Sequence, residues 1–449
     1  MASPINRRGL LKLLWAGFTL AACRLFNINP GTLAAPPSAS PSKAALITTE
    51  PGQTGVLPTQ APTTNSLEFE TTQTNPTASQ AATEATLSQA DFPYLIIDAH
   101  QDIAWNALEF GRDPLDSAAL VRDREAANGI DRLIGQRTTG LPEYLAGRVG
   151  IVIASIFVMP AALAYPGYSS MTYTTAKQAG ARAWEQLRYY QNLTKPGSGF
   201  VLIKSLLELN KVITQWAHPL PNVKPNVGLL ISMEGADPIA SPEELGDWYE
   251  AGVRAVGPAW RRTRYSGGTG EPGPLTDLGR KLLSEMSQKN MILDLSHISE
   301  RAFLEAVEIY SGTIIASHSN PRQFLPTDRG LSNEMIHKLV ERDGVIGVVL
   351  YNRYLKPGWK RGDARSQVTL ETVMQVIDAI VQLAGDSHHV ALGTDFDGGF
   401  GLDSIPFPMD SIADLLDLVD VLRNWGYTDA DMDRIFNYNW LRILQQGLT

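Results

Sequence analysis

The chain has 449 residues, of which 44% are hydrophobic and 19% are charged. This length allows two or three ordinary domains or one large α/β barrel with additional segments, and the apolar fraction excludes a fibrous or wholly disordered chain. The formal net charge of -9 argues against nucleic acid as the main partner, because phosphate binding requires a basic face. The single cysteine, Cys23, excludes an intramolecular disulfide and a zinc cluster built from thiolates.

Residues 1–23 have the pattern of an export signal. Arg7, Arg8 and Lys12 precede the apolar stretch Leu13–Ala22, which as a helix rises only about 15 Å, half the thickness of a bilayer core. That length favours a signal segment over a permanent span. The stretch ends in Leu-Ala-Ala-Cys at Cys23, which resembles the lipobox of bacterial lipoproteins, and the arginine pair resembles a twin-arginine signal. The prediction is an exported protein, lipid-anchored to the outer face of a bacterial cell membrane; an ordinary cleaved signal with an incidental cysteine is the alternative.

Residues 24–90 are rich in Thr, Ala, Pro and Ser and carry few charged side chains. Such a segment buries too little apolar surface to offset the entropy of ordering it. We therefore expect a disordered tether that links the lipid anchor to a folded domain over residues 91–449.

Short β-branched runs alternate with helical patterns from Tyr94 onward, which is typical of parallel βα units. Several runs are apolar without alternation, as expected for strands that are buried on both faces. The eight predicted strands are Leu95–Ala99, Gly150–Phe157, Val227–Met233, Arg254–Pro258, Met291–Leu295, Thr313–Ser317, Val345–Leu350 and His389–Gly393. Amphipathic patterns between them predict helices over Leu275–Lys289, Ser299–Tyr310, Ser332–Arg342 and Leu370–Leu383.

Eight strand–helix repeats in about 350 residues predict a (β/α)₈ TIM barrel with insertions. The longest insertion, residues 160–226, is predicted to contain two helices. Two further helices, Ser411–Trp425 and Asp429–Gln446, are predicted to cover the outside of the barrel.

Polar side chains follow the predicted strands at the point where each strand ends. They are His100 and Asp102 after the first strand, Glu234 after the third, His297 after the fifth, His318 after the sixth and Asp395 after the eighth. The carboxyl ends of barrel strands converge on one mouth, and three imidazoles with three carboxylates form a ligand set for zinc or a similar divalent ion. Taken alone, His297 could instead neighbour a helix cap, whereas a buried Glu234 needs a cation close by.

The other four histidines lie outside this pattern. His337 is on a predicted helix, His218 is in the insertion, and His388 and His389 stand at the opposite end of the eighth strand. We expect structural roles for all four.

The strand-end motifs resemble those of the membrane dipeptidase (renal dipeptidase) family of zinc peptidases. They are Ile97–Asp102 (IDAHQD), Glu234–Ala236 (EGA), Asp294–His297 (DLSH), Ala316–Ser319 (ASHS) and Gly393–Gly398 (GTDFDG), and the resemblance extends over residues 94–446. It implies an amidohydrolase-type barrel with two zinc ions, one held by His100 and Asp102, the other by His297 and His318, with Glu234 between them. The donor types alone suit manganese or cobalt as well.

Dipeptide hydrolysis is the activity that the resemblance implies. Two ions that share a water would make hydroxide available at neutral pH, and Asp395 is the candidate that passes the proton of the water to the leaving amine. By its spacing from His318, Arg329 matches the arginine that binds the substrate carboxylate in this family; a loop surface arginine is the alternative. Tyr354 is a further substrate-contact candidate.

One position departs from the family pattern. Family members carry a histidine after the fourth strand that contacts the substrate carbonyl, and this chain has Trp260 there. Tryptophan has a hydrogen-bond donor but carries no charge. We hypothesise that Arg261, Arg262 or Arg264 supplies the missing cation and that Trp260 forms an apolar wall for a substrate side chain.

The sequence thus predicts a lipid-anchored metallo-dipeptidase with a small-molecule substrate and two divalent ions, with zinc expected. Two alternatives stay open: an amidohydrolase acting on another small amide, such as an N-acyl amino acid or a lactam, and a non-catalytic metal-bearing binding lipoprotein. A homodimer formed through exposed apolar helix faces is also compatible with the sequence.

Overall fold

The computed structural model describes residues 95–449, and the signal and tether predicted over residues 1–90 lie outside that range. A parallel barrel stands at its centre, and its strands follow one another around the sheet in chain order. They are β1 (Ile96–Gln101), β2 (Val149–Phe157), β3 (Val227–Glu234), β4 (Val253–Gly257), β5 (Ile292–Asp294), β6 (Ile314–Ala316), β7 (Val345–Val348) and β8 (Val390–Leu392). All eight predicted strands are confirmed, with ends that differ by one or two residues.

Every residue of these barrel strands is buried except Glu234, which is partly exposed. Burial on both faces explains why the strands read as continuous apolar runs rather than as alternating patterns. Gly347 and Gly393, beside the ends of β7 and β8, leave room for the carbonyl oxygen of Ser317, which a Cβ at either position would overlap. The interior therefore closes tightly beneath the end of β6.

The seam between β8 and β1 differs from the other strand junctions. The backbone ladder pairs each strand with the next from β1 to β8, and within the described chain it does not pair β8 with β1. Side chains bridge this seam instead: Asp98 accepts hydrogen bonds from the backbone N–H of Thr394 and from its hydroxyl, both at 2.7 Å. Gln101 donates to Asp98 at 2.6 Å and to the hydroxyl of Thr394 at 2.8 Å. A fully buried polar cluster thus holds β1 beside β8.

Helices surround the barrel, as expected from the alternating pattern. They are α1 (Ile103–Phe110), α2 (Ala118–Asn128), α3 (Ile130–Ile134), α4 (Leu141–Ala146), α5 (Ala176–Leu193), α6 (Leu206–Ala217), α7 (Leu245–Ala251), α8 (Asp277–Gln288), α9 (Glu300–Ile309), α10 (Asn333–Glu341), α11 (Asn352–Leu355), α12 (Leu370–Ala384), α13 (Leu418–Asn424), α14 (Asp429–Asp433) and α15 (Asn439–Gly447). The hydroxyls of Thr276 and Ser332 cap α8 and α10, and such caps satisfy N–H groups that the helix itself leaves free.

The insertion contains the two predicted helices, α5 and α6. It also contains a strand that the sequence pattern did not predict, Phe200–Leu202, which pairs in parallel with β3. Two small ladders lie near the mouth of the barrel: Met159–Pro160 with Thr172–Tyr173, and Ser266–Gly268 with Glu271–Leu275. Among residues 95–449, no helix is both long and apolar enough to span a bilayer.

Candidate metal centre and substrate cavity

The strand ends bring the predicted donors together at one mouth. His100 is on β1 and Asp102 follows it, Glu234 is the last residue of β3, and His297 and His318 follow β5 and β6. His100 and His318 are each only 1% exposed, and their rings stack with centroids 3.7 Å apart. Residues separated by as many as 218 positions therefore share one buried site, as the parallel barrel requires.

Glu234 lies between the histidines. Its Oε1 is 3.2 Å from Nε2 of His297 and 3.3 Å from Nε2 of His318, and its Oε2 is 3.7 Å from Nε2 of His100. Nε2 of His100 is also 3.8 Å from Oδ1 of Asp102. Each carboxylate oxygen of Glu234 thus faces a different donor group, an arrangement suited to two cations with Glu234 between them.

Burial determines the charge state of these donors. It lowers the pKa of His100 to about 3 and the pKa values of His297 and His318 well below the usual range, so the imidazoles are neutral and each can offer a lone pair. Burial raises the pKa of Asp102 to about 7. Burial and then the nearby Asp102 and Asp395 carboxylates raise the pKa of Glu234 well above its usual range. A divalent cation would offset the clustered negative charge.

Hydroxyl groups engage the outer nitrogens of two histidines. The Ser317 hydroxyl is 2.8 Å from Nδ1 of His318 and donates to the carboxylate of Asp294, so it is left to accept a hydrogen bond from Nδ1–H of His318. The Thr269 hydroxyl lies 3.1 Å from Nδ1 of His297. With Nδ1 protonated, the lone pair at Nε2 of each ring points inward, and the two Nε2 atoms are only 3.0 Å apart. Two facing lone pairs at that distance call for a cation.

The buried donor atoms have the chemistry that a divalent metal ion requires of its ligands. Within the described residues, both ring nitrogens of His100 and Oδ1 of Asp102 are buried without a hydrogen-bond partner. Buried polar atoms are normally paired, and neutral imidazole nitrogens with carboxylate oxygens are ligands that zinc and similar ions accept. The set could therefore hold divalent metal.

Asp395 lies beside this centre. Its Oδ1 is 4.0 Å from Nε2 of His100, and burial together with Asp102 raises its pKa well above the usual range. The backbone of Asp395 is left-handed, with φ 59°, as is that of His297, with φ 64°. Such backbone strain in a residue other than glycine concentrates at functional sites. A Cβ on Gly398 would overlap the Asp395 carboxylate, so glycine at that position leaves the carboxylate its space.

Asn106 links the two acidic segments of the mouth. Its side-chain amide donates to the backbone oxygen of Asp102 at 3.1 Å and to that of Asp397 at 3.0 Å. The Asp397 carboxylate in turn accepts hydrogen bonds from Thr138 and Thr139 and lies 3.1 Å from Nε of Arg137. These groups are all buried, so the loop that carries Asp395 is held in place from below.

A cavity of about 390 Å³ opens above the donors, within the size range of small-molecule sites. Arg329, Tyr354 and Trp260 all line it, as do Asp102, Glu234, His297, His318 and Asp395. Arg329 is 4% exposed; it donates to the hydroxyl of Ser319 at 2.7 Å and to the backbone oxygen of His318. Its guanidinium lies 5.7 Å from the centre of the Tyr354 ring. Arg329 is thus a buried cation at the site rather than a loop surface arginine.

The three arginines near Trp260 have different environments. Arg261 lines the cavity and lies 3.5 Å from Glu271. Arg262 donates to the backbone oxygen of Pro272 at 2.5 Å. Arg264 donates to the backbone oxygens of Asp237, Ile239 and Ala240. Of the three arginines, Arg261 therefore remains the candidate for the replacement cation, because Arg262 and Arg264 do not line this cavity.

The remaining histidines lie outside the cavity. His389 is 2.9 Å from the backbone oxygen of Gly344 and His388 is 3.4 Å from Asp343. His218 follows α6, and His337 is an exposed residue of α10. The sequence pattern did not predict the roles of Asp294, Ser317 and Thr269 around the metal donors, although Asp294 and Ser317 stand inside the motifs that carry the family resemblance.

Two curated relatives each match less than half of this chain. An uncharacterised protein from the pqqA 5′ region of Klebsiella pneumoniae is 32% identical over 211 residues, which are 45% of this chain and 75% of that protein. An uncharacterised protein from the PQQ-III 3′ region of Acinetobacter calcoaceticus is 29% identical over 37% of this chain, and the match spans only 57% of that protein.

Solved structures share the fold. A metallopeptidase from Rhodobacter sphaeroides, crystallised with a phosphinate mimic of the dipeptide L-Ala-D-Ala, superposes with a TM-score of 0.63 at 22% identity, covering 78% of this chain and 99% of that chain. The sequence profile of the membrane dipeptidase family, peptidase family M19, matches residues 85–448. Because this match includes the entire barrel and all the predicted metal donors, the chain belongs to the membrane dipeptidase family of metallopeptidases.

Proposed function

We propose that this protein hydrolyses the amide bond of dipeptides with the help of two divalent metal ions, zinc being the expected metal. The observation that carries the proposal is the placement of Glu234 between His100 on one side and the His297–His318 pair on the other. Family membership supports the same activity.

His100 and Asp102 would hold one ion, His297 and His318 would hold the other, and Glu234 would contribute an oxygen to each. Two divalent ions in such a site supply Lewis acidity, which lowers the pKa of bound water towards about 7 and polarises a carbonyl group. The protein's own part is to keep the imidazoles neutral and correctly oriented, which burial and the hydroxyls of Ser317 and Thr269 accomplish.

Asp395 is proposed as the proton shuttle. It lines the cavity beside His100, where a carboxylate can take up a proton from water and return it to a leaving amine. The left-handed backbone and the space beside Gly398 fix the direction in which this carboxylate points.

Arg329 is proposed to bind the substrate carboxylate, with Tyr354 beside it. Within the described residues, its Nε is buried without a hydrogen-bond partner, which leaves a donor for an incoming anion. Charge-assisted hydrogen bonds from a pre-positioned guanidinium are among the stronger polar contacts in proteins. A free carboxyl terminus on the substrate is therefore part of the proposal.

Arg261 is proposed to supply the positive charge that the family histidine provides elsewhere. We expect Arg261→Ala to lower kcat more than about tenfold, the loss of one stabilising contact to a developing oxyanion. Arg262→Ala removes an exposed arginine from the neighbouring position and serves as the matched control, with kcat near the wild-type value. Equal kcat values for both variants and the wild type would remove Arg261 from the mechanism.

A substrate panel tests the proposed function. The zinc-loaded protein is assayed with free dipeptides, N-acetylated dipeptides, dipeptide amides, N-acyl amino acids and a β-lactam, with loss of the substrate and formation of the hydrolysed product, followed by chromatography, as the readout. We expect kcat/KM to fall at least about 100-fold when the carboxyl terminus is amidated, because Arg329 then loses its anion. Faster turnover of N-acyl amino acids or lactams would favour the other amidohydrolase activity. Binding without turnover of any substrate would favour a non-catalytic receptor.

Lipidation of Cys23, export and dimerisation stay predictions from the sequence.

A further inference from the structure

One wall of the cavity is aromatic and separate from the barrel core. Trp105, Phe157 and Met159 belong to a second hydrophobic cluster, against which Tyr165 and Trp260 pack. All five of these side chains also line the cavity. Ring contacts connect them: Trp105 to Phe157 at 5.6 Å, Phe157 to Trp260 at 5.0 Å and Trp105 to Tyr165 at 6.4 Å. We call these five residues the aromatic wall.

The aromatic wall lies across the cavity from Arg329. Phe157 ends β2, whereas Arg329 is in the loop after β6 and donates to the backbone oxygen of His318. In an eight-stranded barrel whose strands follow in chain order, β2 and β6 are diametrically opposite. The candidate metal donors are spread around the mouth: Glu234 ends β3 and His297 follows β5, between the two sides, whereas His318 follows β6 beside Arg329. A small substrate held by its carboxylate at Arg329 therefore extends towards the aromatic wall on the far side of the metal centre.

The segment that carries Tyr165 is fastened to the barrel at two points. The Glu109 carboxylate accepts hydrogen bonds from the backbone N–H groups of Ser170, at 3.0 Å, and Met171. The Tyr173 hydroxyl donates to Asp237 at 2.8 Å. The Tyr165 ring reaches Phe110, with centroids 6.1 Å apart. The aromatic wall is thus pre-formed, and little conformational entropy of the protein is lost when a ligand side chain packs on it.

We propose that the aromatic wall is the subsite for the N-terminal side chain of the dipeptide and makes the enzyme selective for large apolar or aromatic residues at that position. This inference rests on the proposed function. With the carboxylate at Arg329 and the scissile carbonyl at the metal centre, the residue on the acyl side faces the opposite side of the cavity, where the aromatic wall stands. The five wall residues contribute no formal charge, so a polar side chain that packs on them would lose water without gaining a partner, whereas an apolar one gains by leaving water.

Two series of dipeptides test the inference. The first series is Xaa-Ala and the second is Ala-Xaa, with Phe, Leu, Ala, Ser or Asp at the variable position. We expect kcat/KM for Phe-Ala and Leu-Ala to exceed that for Ala-Ala by about tenfold or more, since even one methylene in an apolar pocket discriminates at this level. The Ala-Xaa series should show a smaller spread.

A matched pair of variants assigns the preference to the wall. Tyr165→Ala removes a wall residue and is expected to lower the Phe-Ala to Ala-Ala ratio of kcat/KM by about tenfold. Tyr168→Ala removes a tyrosine of the same segment that packs on Phe110 but does not line the cavity, and should leave the ratio unchanged. Partial misfolding of a variant lowers the concentration of active enzyme equally for both substrates, so it does not change the ratio.

The outcomes separate the inference from the function on which it rests. Cleavage of all dipeptides without an N-terminal preference, or a preference confined to the Ala-Xaa series, overturns the inference and leaves the dipeptidase activity in place. If no dipeptide is cleaved, the proposed function fails. Binding of phosphinate mimics of Phe-Ala and Ala-Ala, measured by calorimetry, then still decides the inference: tighter binding of the Phe mimic supports the subsite, and equal binding removes it.

Discussion

Replacing Asp395 with Asn is expected to lower kcat by about 10²–10⁴-fold, the range typical of a lost general acid or base, while the protein keeps its full complement of metal. Asn has the same shape as Asp but can neither accept nor deliver a proton under these conditions. Gly398 leaves the same space for either side chain, so the fold should be undisturbed. The measurement pairs single-turnover kinetics on a dipeptide with elemental analysis of bound metal.

The carboxylate of Asp328 provides the control for this variant. It lies on the wall of the same cavity and accepts a hydrogen bond from the backbone N–H of Gly270 at 2.7 Å, which an Asn amide oxygen can also accept. Asp328→Asn should keep kcat near the wild-type value. Asp395 also lies with His100 and Asp102 in a group close enough to hold one ion. Loss of metal from Asp395→Asn would therefore show that Asp395 is a ligand, and undiminished kcat would refute its role as proton shuttle.

Replacing Glu234 with Gln is expected to reduce bound metal from two ions per chain to one or none and to lower kcat by about 10³-fold or more. The substitution preserves size but removes the negative charge that both ions would share. It also points an amide N–H₂ or a neutral oxygen at Nε2 of His297 and His318, which lie within 3.3 Å of Oε1. Without the ions, the pKa of the water in the site is no longer lowered towards about 7. Metal content and kcat are measured on the same preparation.

A second buried glutamate tests whether the loss is specific. Glu109 accepts two backbone N–H groups outside the metal centre, and Glu109→Gln should still bind two ions per chain. Treatment of the wild-type protein with a chelator should reproduce the inactive state, and addition of zinc should restore turnover. Full activity of metal-free wild-type protein would contradict the proposed metal dependence.

The barrel could be predicted from the sequence because the barrel strands are buried on both faces. Continuous apolar runs such as Gly150–Phe157 are typical of strands in this setting, and polar residues directly after them fall at the mouth by topology. His100, Asp102, Glu234, His297 and His318 converge there, as expected from their positions after the strands. The strand Phe200–Leu202 was missed because its short apolar run lies inside the insertion, which was predicted to contain two helices, and not in the alternating series of strands and helices.

The sequence alone could not predict the contacts between segments that are distant along the chain. Trp105 and Tyr165 form one wall only because the segment after β2 folds back over α1, held by Glu109. Arg264 was as reasonable a candidate as Arg261 for a cation in the cavity, since one sequence cannot show which arginine the backbone carbonyls of residues 237–240 engage. Ser317 sits in a recognised motif, yet its contact with Asp294 depends on the packing of β5 against β6.

The lack of a backbone ladder between β8 and β1 in the described chain has a consequence for the distance between Asp395 and the pair His100 and Asp102. His100 and Asp102 belong to one side of that junction and Asp395 to the other, so no sheet register fixes the gap between them. Side chains bridge the gap: Asp98, Gln101 and Thr394 along the strands, and Asn106 between the segments that follow them. Elsewhere in the barrel, a shift of this kind would break hydrogen bonds along a whole strand. Here we expect that a change of one methylene in a single bridging residue would move Asp395 relative to His100 and Asp102.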